Sequence, residues 1–109
     1  MPRDMVGAVV DTAGVNTTIY TNSSGASTLL LNINIVSTGE ADDGDLILSY
    51  YDGANAFPFD IVTIGGTYIG AKTNVRRLYQ NVVIPNGDSI QVKLPHGQEH
   101  VFTIVTTPA

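Results

Sequence analysis

Thr28–Val36 reads TLLLNINIV. Successive side chains of a strand point to opposite sides of a sheet, so alternation places Leu29, Leu31, Ile33 and Ile35 on one face. Leu30, Asn32, Asn34 and Val36 fall on the other. A helix would scatter the two asparagines over unrelated faces and would carry more Ala, Glu and Lys. The same period continues outward from this stretch. Asp45–Tyr51 (DLILSYY) puts Leu46, Leu48 and Tyr50 on one side. Ser89–Leu94 (SIQVKL) turns Ile90, Val92 and Leu94 inward and Ser89, Gln91 and Lys93 outward. Val101–Thr107 (VFTIVTT) aligns Phe102 with Ile104. Each reads as a half-buried strand with one wet face.

Turn-forming clusters separate these runs at Asn22–Gly25, Thr38–Gly44, Asp52–Asn55, Gly65–Gly66, Pro85–Asp88 and Pro95–Gly97. Gly65–Gly66, between two apolar runs, predicts a tight hairpin. In IPNGD, Pro85 fixes one torsion and Gly87 is free to take positive φ. Val75–Ile84 (VRRLYQNVVI) alternates imperfectly, as a bulged strand would. The expectation is an all-β chain: one antiparallel β-sandwich, jelly-roll or immunoglobulin-like, of about seven or eight strands and without significant helix. Two stacked sheets bury the apolar faces that a single sheet would leave wet.

The chain has 109 residues, enough for one domain. Residues 15–109 are expected to form the sandwich. Residues 1–14 are either a first strand around Val6–Val10 or an arm that orders only against a neighbour. Hydrophobic residues make up 43% and charged residues 14%, which excludes a disordered chain. A net charge of −5 with five Lys and Arg argues against binding nucleic acid by phosphate neutralisation. No apolar run approaches the ~20 residues of a membrane helix. Cysteine is absent, so disulfides, thiolate metal sites and cysteine nucleophiles are excluded. Met5–Val10 is too short for a signal-peptide core and is followed by Asp11, so the expectation is a mature cytosolic product, or something assembled in the cytosol.

Catalytic and metal chemistry finds little support. His96-Gly97-Gln98-Glu99-His100 matches H-x-x-E-H, in which a helix sets two histidines on one zinc ion and glutamate is the base. Here Pro95 precedes the pattern, Gly97 interrupts it and a strand-like run follows. On a strand the histidines would stand ~13 Å apart at ~3.3 Å per residue. A polar hairpin turn with two surface histidines is expected instead. Glu40-Ala41-Asp42-Asp43-Gly44-Asp45 gathers carboxylates beside a glycine, but its spacing is not that of an EF-hand, and it reads as an acidic solvated loop. A calcium site built with Asp52 or Asp88 is the weaker reading. No Gly-x-Ser-x-Gly elbow and no phosphate loop is present. Metal, cofactor and enzymatic activity are therefore all expected to be absent.

Five tyrosines outnumber three phenylalanines, and tyrosine suits interfaces. Tyr50 and Tyr51 must point to opposite faces. Arg76 and Arg77 are the only basic pair, able to meet acidic loops of a neighbour or to lie solvated on a strand edge.

Three segments carry a family likeness. Thr17–Thr21 (TTIYT), then STLLLNINIVSTGEADDGDLILSYYDG, then LYQNVVIPNGDSIQVKLPHGQEHVFTIVTT together resemble a small β-sandwich module of tailed-bacteriophage virion proteins. The likeness spans about Thr17–Thr107, with no match over Ala54–Asn74. It implies a non-enzymatic structural protein of the virion, assembled in the host cytoplasm, foremost a decoration or cement protein bound to the major capsid protein. Tail or tail-fibre adaptors and head fibres share the module, and a carbohydrate-binding module using exposed tyrosines such as Tyr51 or Tyr68 is the alternative from another class. The module has no catalytic residues to carry over. Copies would form a homo-oligomer, with a trimer as the first expectation, and each weak contact would gain by avidity. The candidate contact residues are Met5 and Val6 in the first segment, Glu40, Asp42 and Asp43 in the acidic loop, Tyr51, and the Arg76–Arg77 pair.

Overall fold

In a computed structural model the chain folds into eight strands among the described residues, which are 4–37, 44–64, 74–95 and 99–109. They are β1 (Asp4–Val10), β2 (Thr17–Thr21), β3 (Thr28–Ser37), β4 (Gly44–Tyr51), β5 (Ala56–Ile64), β6 (Asn74–Ile84), β7 (Ser89–Lys93) and β8 (His100–Pro108). One sheet has the order β1-β8-β3-β6 and the other β2-β7-β4-β5. All named strand pairings are antiparallel. Consecutive strands pass from one sheet to the other at every step except β4 to β5. First and last strands lie side by side. That winding is the jelly roll, the alternative left standing beside an immunoglobulin order.

The core lies between the sheets. Ile33, Ile35, Phe102 and Ile104 from one layer meet Leu46, Leu48, Ile90 and Val92 from the other, all fully buried. Each such side chain contributes about 1.5–3 kcal/mol by leaving water. The strand faces expected for β4, β7 and β8 are the ones observed. Ser89 is a partial exception: it stands on the outer row but is covered there, with its Oγ 3.1 Å from Thr21 Oγ1.

β3 departs from simple alternation. Its register with β8 steps from Leu30↔Thr106 to Asn32↔Val105, so Leu31 is an inserted residue. A bulge of this kind flips the phase of the strand. Leu30 therefore joins Ile33 and Ile35 inside, whereas Leu29 and Leu31, expected on that face, are only half-buried. Opposite the same point β6 carries three residues, Tyr79–Asn81, between Leu78↔Asn32 and Val82↔Leu30. This is the bulge that the irregular VRRLYQNVVI stretch implies.

The histidine expectation needs correction. His100 is not on the surface; it opens β8 with 0% of its area exposed. Its register partners are Val10 and Ser37, and its ring stacks on Phe102 with centroids 6.4 Å apart. The alternation that turns Phe102 and Ile104 inward simply reaches back two residues. His96, and the Gly65–Gly66 hairpin, lie outside the described residues.

One end of the sandwich is tied by Asn22, which is fully buried. Its Nδ2 donates to the carbonyls of Ala26 and Ile84, each at 2.7 Å. Its Oδ1 accepts from the Ser24 N–H at 3.0 Å and the Ser24 hydroxyl at 2.7 Å, an Asx turn. Its own backbone bonds Asp88 and Gly87. One side chain thus joins the β2–β3 turn to the β6–β7 turn. In the latter, the Asp88 N–H donates to the Pro85 carbonyl while Gly87 adopts φ 93°, as a type II turn requires of its third residue.

Candidate interaction surface

A sandwich has four exposed strand edges, and here they come in two pairs. β5 and β6 border one side and β1 and β2 the other. An edge strand shows a row of unpaired N–H and C=O groups, a template for another strand unless it is blunted.

The β5–β6 side is closed by polar chemistry. Arg77 on β6 grips Asp60 on β5 with two hydrogen bonds, Nε to Oδ2 at 2.9 Å and Nη2 to Oδ1 at 2.8 Å. The Tyr79 hydroxyl donates to the same Asp60 Oδ2. Phe59 packs edge-on against Tyr79 with centroids 5.4 Å apart. Burial by itself would raise the Asp60 carboxyl, but the hydrogen bonds from Arg77 and Tyr79, helped by the guanidinium charge, hold it below the usual carboxylate range. Burial first, then the hydrogen bond to Asp60, pushes the Tyr79 phenol well up. A carboxylate so saturated with donors is a poor proton carrier. What it does is clamp one sheet to the other. A cleft of about 420 Å³ beside it is lined by Phe59, Asp60, Arg77 and Tyr79 together with the exposed Arg76 and Leu78.

The β1–β2 side is built differently. β2 is short, at five residues. β1 runs seven residues, DMVGAVV, with Asp4 its only charge and no proline. It pairs with β8 from Asp4↔Thr106 to Val10↔His100 without a register break. Val6, Ala8 and Val10 face the core, and Met5 and Val9 face out with 71% and 62% of their area exposed. A groove of about 310 Å³ lies beside this edge, lined in part by Asp4, Met5, Tyr20 and Asn22.

The outer faces of the two sheets also differ. Register rows across the first sheet run Met5–Val105–Asn32–Leu78 and Val9–Val101–Val36, and Leu29 stands beside Val83. Arg76 is the one charged side chain described on that face. The second sheet shows Thr18–Gln91–Ser49–Pro58 and Thr21–Ser89–Tyr51–Ala56, with Lys93 beside Ile47. The first outer surface carries Met5, Val9, Leu78 and Val83 exposed, with a polar row Thr103–Asn34–Arg76 crossing it; the second is richer in hydroxyls but exposes Ile61 beside Ile47.

Of the candidate contact residues, Met5 is on the open edge and Val6 beside it points into the core. Tyr51 is half-buried on the hydroxyl-rich face. Arg76 is exposed, but Arg77 is committed to Asp60 of its own chain, because neighbours on a strand point opposite ways. Glu40, Asp42, Asp43 and Tyr68 lie outside the described residues. Asp52, weighed for calcium, has its Oδ1 filled by the N–H groups of Asn55 and Ala54 at 2.8 and 2.9 Å, which hold its carboxyl low. Asp88 accepts from the Tyr50 hydroxyl, and burial followed by that bond pushes the Tyr50 phenol up to about 12. Among the described residues no three His, Cys, Asp or Glu side chains gather as a metal site. Sequence reasoning missed Val9, four residues from Met5 on the same strand face, and it missed Asp60 and Tyr79 as partners of Arg77.

The fold and its edges define an eight-stranded jelly-roll sandwich whose described residues present surfaces for contact. No protein-family model and no curated protein sequence matches the chain. In fold it is similar to a chain from the disulfide-linked pili of Bacillus endospore appendages, with a TM-score of 0.51, 12% identity, and coverage of 99% of this chain and 88% of that one. At this identity the likeness is one of fold.

Proposed function

We propose that this chain is a non-enzymatic structural subunit of a many-copy assembly that ends up outside the cell, on a virion or a surface filament. The observation that carries the reading is the fold match to a pilus chain over nearly the full length of both. Apolar residues on the outer face of the β1-β8-β3-β6 sheet support it, since Met5, Val9, Leu78 and Val83 are all exposed there. The pili of the matching chain are disulfide-linked, whereas this chain has no cysteine, so disulfides between the residues of this chain cannot join its copies.

The strand-and-turn likeness to phage virion modules makes decoration of a capsid, docked on the major capsid protein, the finer form of the same reading. Purified protein, followed by analytical ultracentrifugation and negative-stain electron microscopy, tests the class. Ordered oligomers, rings or filaments are expected; a monomer at every concentration up to about millimolar would overturn it. Gold-labelled antibody applied to particles from the source then separates the finer forms: label on the shell supports decoration, and label confined to a tail or a filament rejects it.

A further inference from the structure

We propose that β1 is one contact edge of this assembly, pairing antiparallel with β1 of a second copy about a two-fold axis through Gly7 to give a dimer, the unit that other surfaces join. The proposal deepens the structural reading above and rests on it for the existence of an assembly.

Elimination supplies the occupant. A strand edge is recognised by another strand edge with unpaired backbone groups of its own. β5 carries Pro58 and the inward carboxylate of Asp60. β6 carries a bulge and the inward guanidinium of Arg77. β2 is five residues long and shifts register between Thr18 and Tyr20. Each of these is a recognised way of blunting an edge. β1 alone is long, regular and free of proline, and no described residue pairs with its outer side. The open edge that a β1 strand meets among its own copies is therefore another β1.

The sequence of β1 suits self-pairing. With Gly7 on the axis, every residue faces the one equally far on the other side. Met5 meets Val9 of the second copy, Val6 meets Ala8, and Asp4 meets Val10. No like charges stand opposite each other, although each molecule carries a net charge of −5. Met5 and Val9 both lie on the outer face, so the Met5–Val105 row of one copy runs on into the Val9–Val101 row of the next. Gly7 is not among the positive-φ glycines, and a Cβ there would meet no described atom nearer than the Phe102 carbonyl oxygen at 4.0 Å, so a side chain introduced at residue 7 fits the monomer.

Cysteine substitution in the full chain tests the register, because the chain has no cysteine of its own. On the axis, two copies of residue 7 would have Cα atoms roughly 4.5–5.5 Å apart, within disulfide reach. Two copies of residue 5 would be ~13 Å apart along the strands, beyond it. Under mild oxidation Gly7→Cys is expected to form a covalent dimer on a non-reducing gel, and Met5→Cys to remain monomeric there. Equal cross-linking of both, or cross-linking of Met5→Cys alone, overturns the proposal. A charge pair gives a second readout by sedimentation. Met5→Lys with Val9→Lys sets like charges opposite each other and should weaken association about tenfold, whereas Met5→Lys with Val9→Glu should restore it. If the two double variants associate equally, the register is wrong. Assemblies that form while Gly7→Cys fails to cross-link would leave the structural reading standing and remove β1 from it; a chain that never associates would remove both.

Discussion

The two sides of the sandwich solve the same problem in opposite ways. On the β5–β6 side, ionisable groups point inward and bond across the sheets through Asp60, Arg77 and Tyr79. On the β1–β2 side, β1 offers an apolar, regular, nearly uncharged strand. Strand propensity does not separate the two, since β-branched residues are plentiful on both. What separates them is where the charges sit relative to the pleat. A charge turned inward at an edge excludes a foreign strand and ties the layers; an edge without one remains available.

The largest effect is expected at the turn that frames the open side. Asn22→Ala removes both Nδ2 bonds and the Oδ1 acceptor of the Ser24 N–H, and it takes from the Ile84 carbonyl its buried side-chain donor, for a loss of about 2 kcal/mol in urea unfolding. The clamp comes close behind. Arg77→Ala leaves the Asp60 carboxylate half-buried without its cation. Because the Arg77 side chain keeps 32% of its area in solvent, the loss is expected near 2 kcal/mol rather than that of a fully buried pair. Replacing both partners, as Asp60→Asn with Arg77→Leu, should recover part of it. A double variant no more stable than Arg77→Ala would show that the clamp is not the stabilising contact.

Proton linkage gives finer tests of the closed side and of the Tyr50–Asp88 bond beside the β6–β7 turn. The folded Asp60 carboxyl titrates below its unfolded value, so its stabilisation is complete above roughly pH 4 and is lost as pH falls through the folded value. Thermal melts across that window should show a shallower acid loss in Asp60→Asn. The phenols have the opposite sign. Tyr50, pushed up to about 12, and Tyr79, raised further, stabilise the fold below the ordinary phenol value near 10 and cease to do so as pH rises through their folded values. In an ultraviolet titration, Tyr50→Phe and Tyr79→Phe should each remove a component that ionises late. The smallest effect on stability belongs to the open edge. Val9→Thr, at a position 62% exposed, should change the unfolding free energy by less than about 0.5 kcal/mol while lowering association. A change confined to stability would argue that the edge is not a contact.

Much of the architecture was legible because strand alternation is local. The inward set of β7 and β8 follows from residues two apart, and His100 would have been placed correctly by extending the same count back from Phe102. β3 defeated the count at Leu31, because nothing in TLLLNINIV marks which residue is inserted; the pairing with Thr106 and Val105 decides it. The clamp was out of reach for another reason. Asp60 stands 17 residues from Arg77 and 19 from Tyr79, and no pattern in either strand signals the other.

The sequence by itself therefore determined an all-β chain, its turns, most core-facing positions and the absence of cysteine chemistry, since these depend on neighbouring residues and on composition. The tertiary structure alone decided the jelly-roll winding over an immunoglobulin order, the phase of β3 beyond its bulge, and which strands became edges. Those properties depend on which distant segments share hydrogen bonds, and that is settled only when the chain closes on itself.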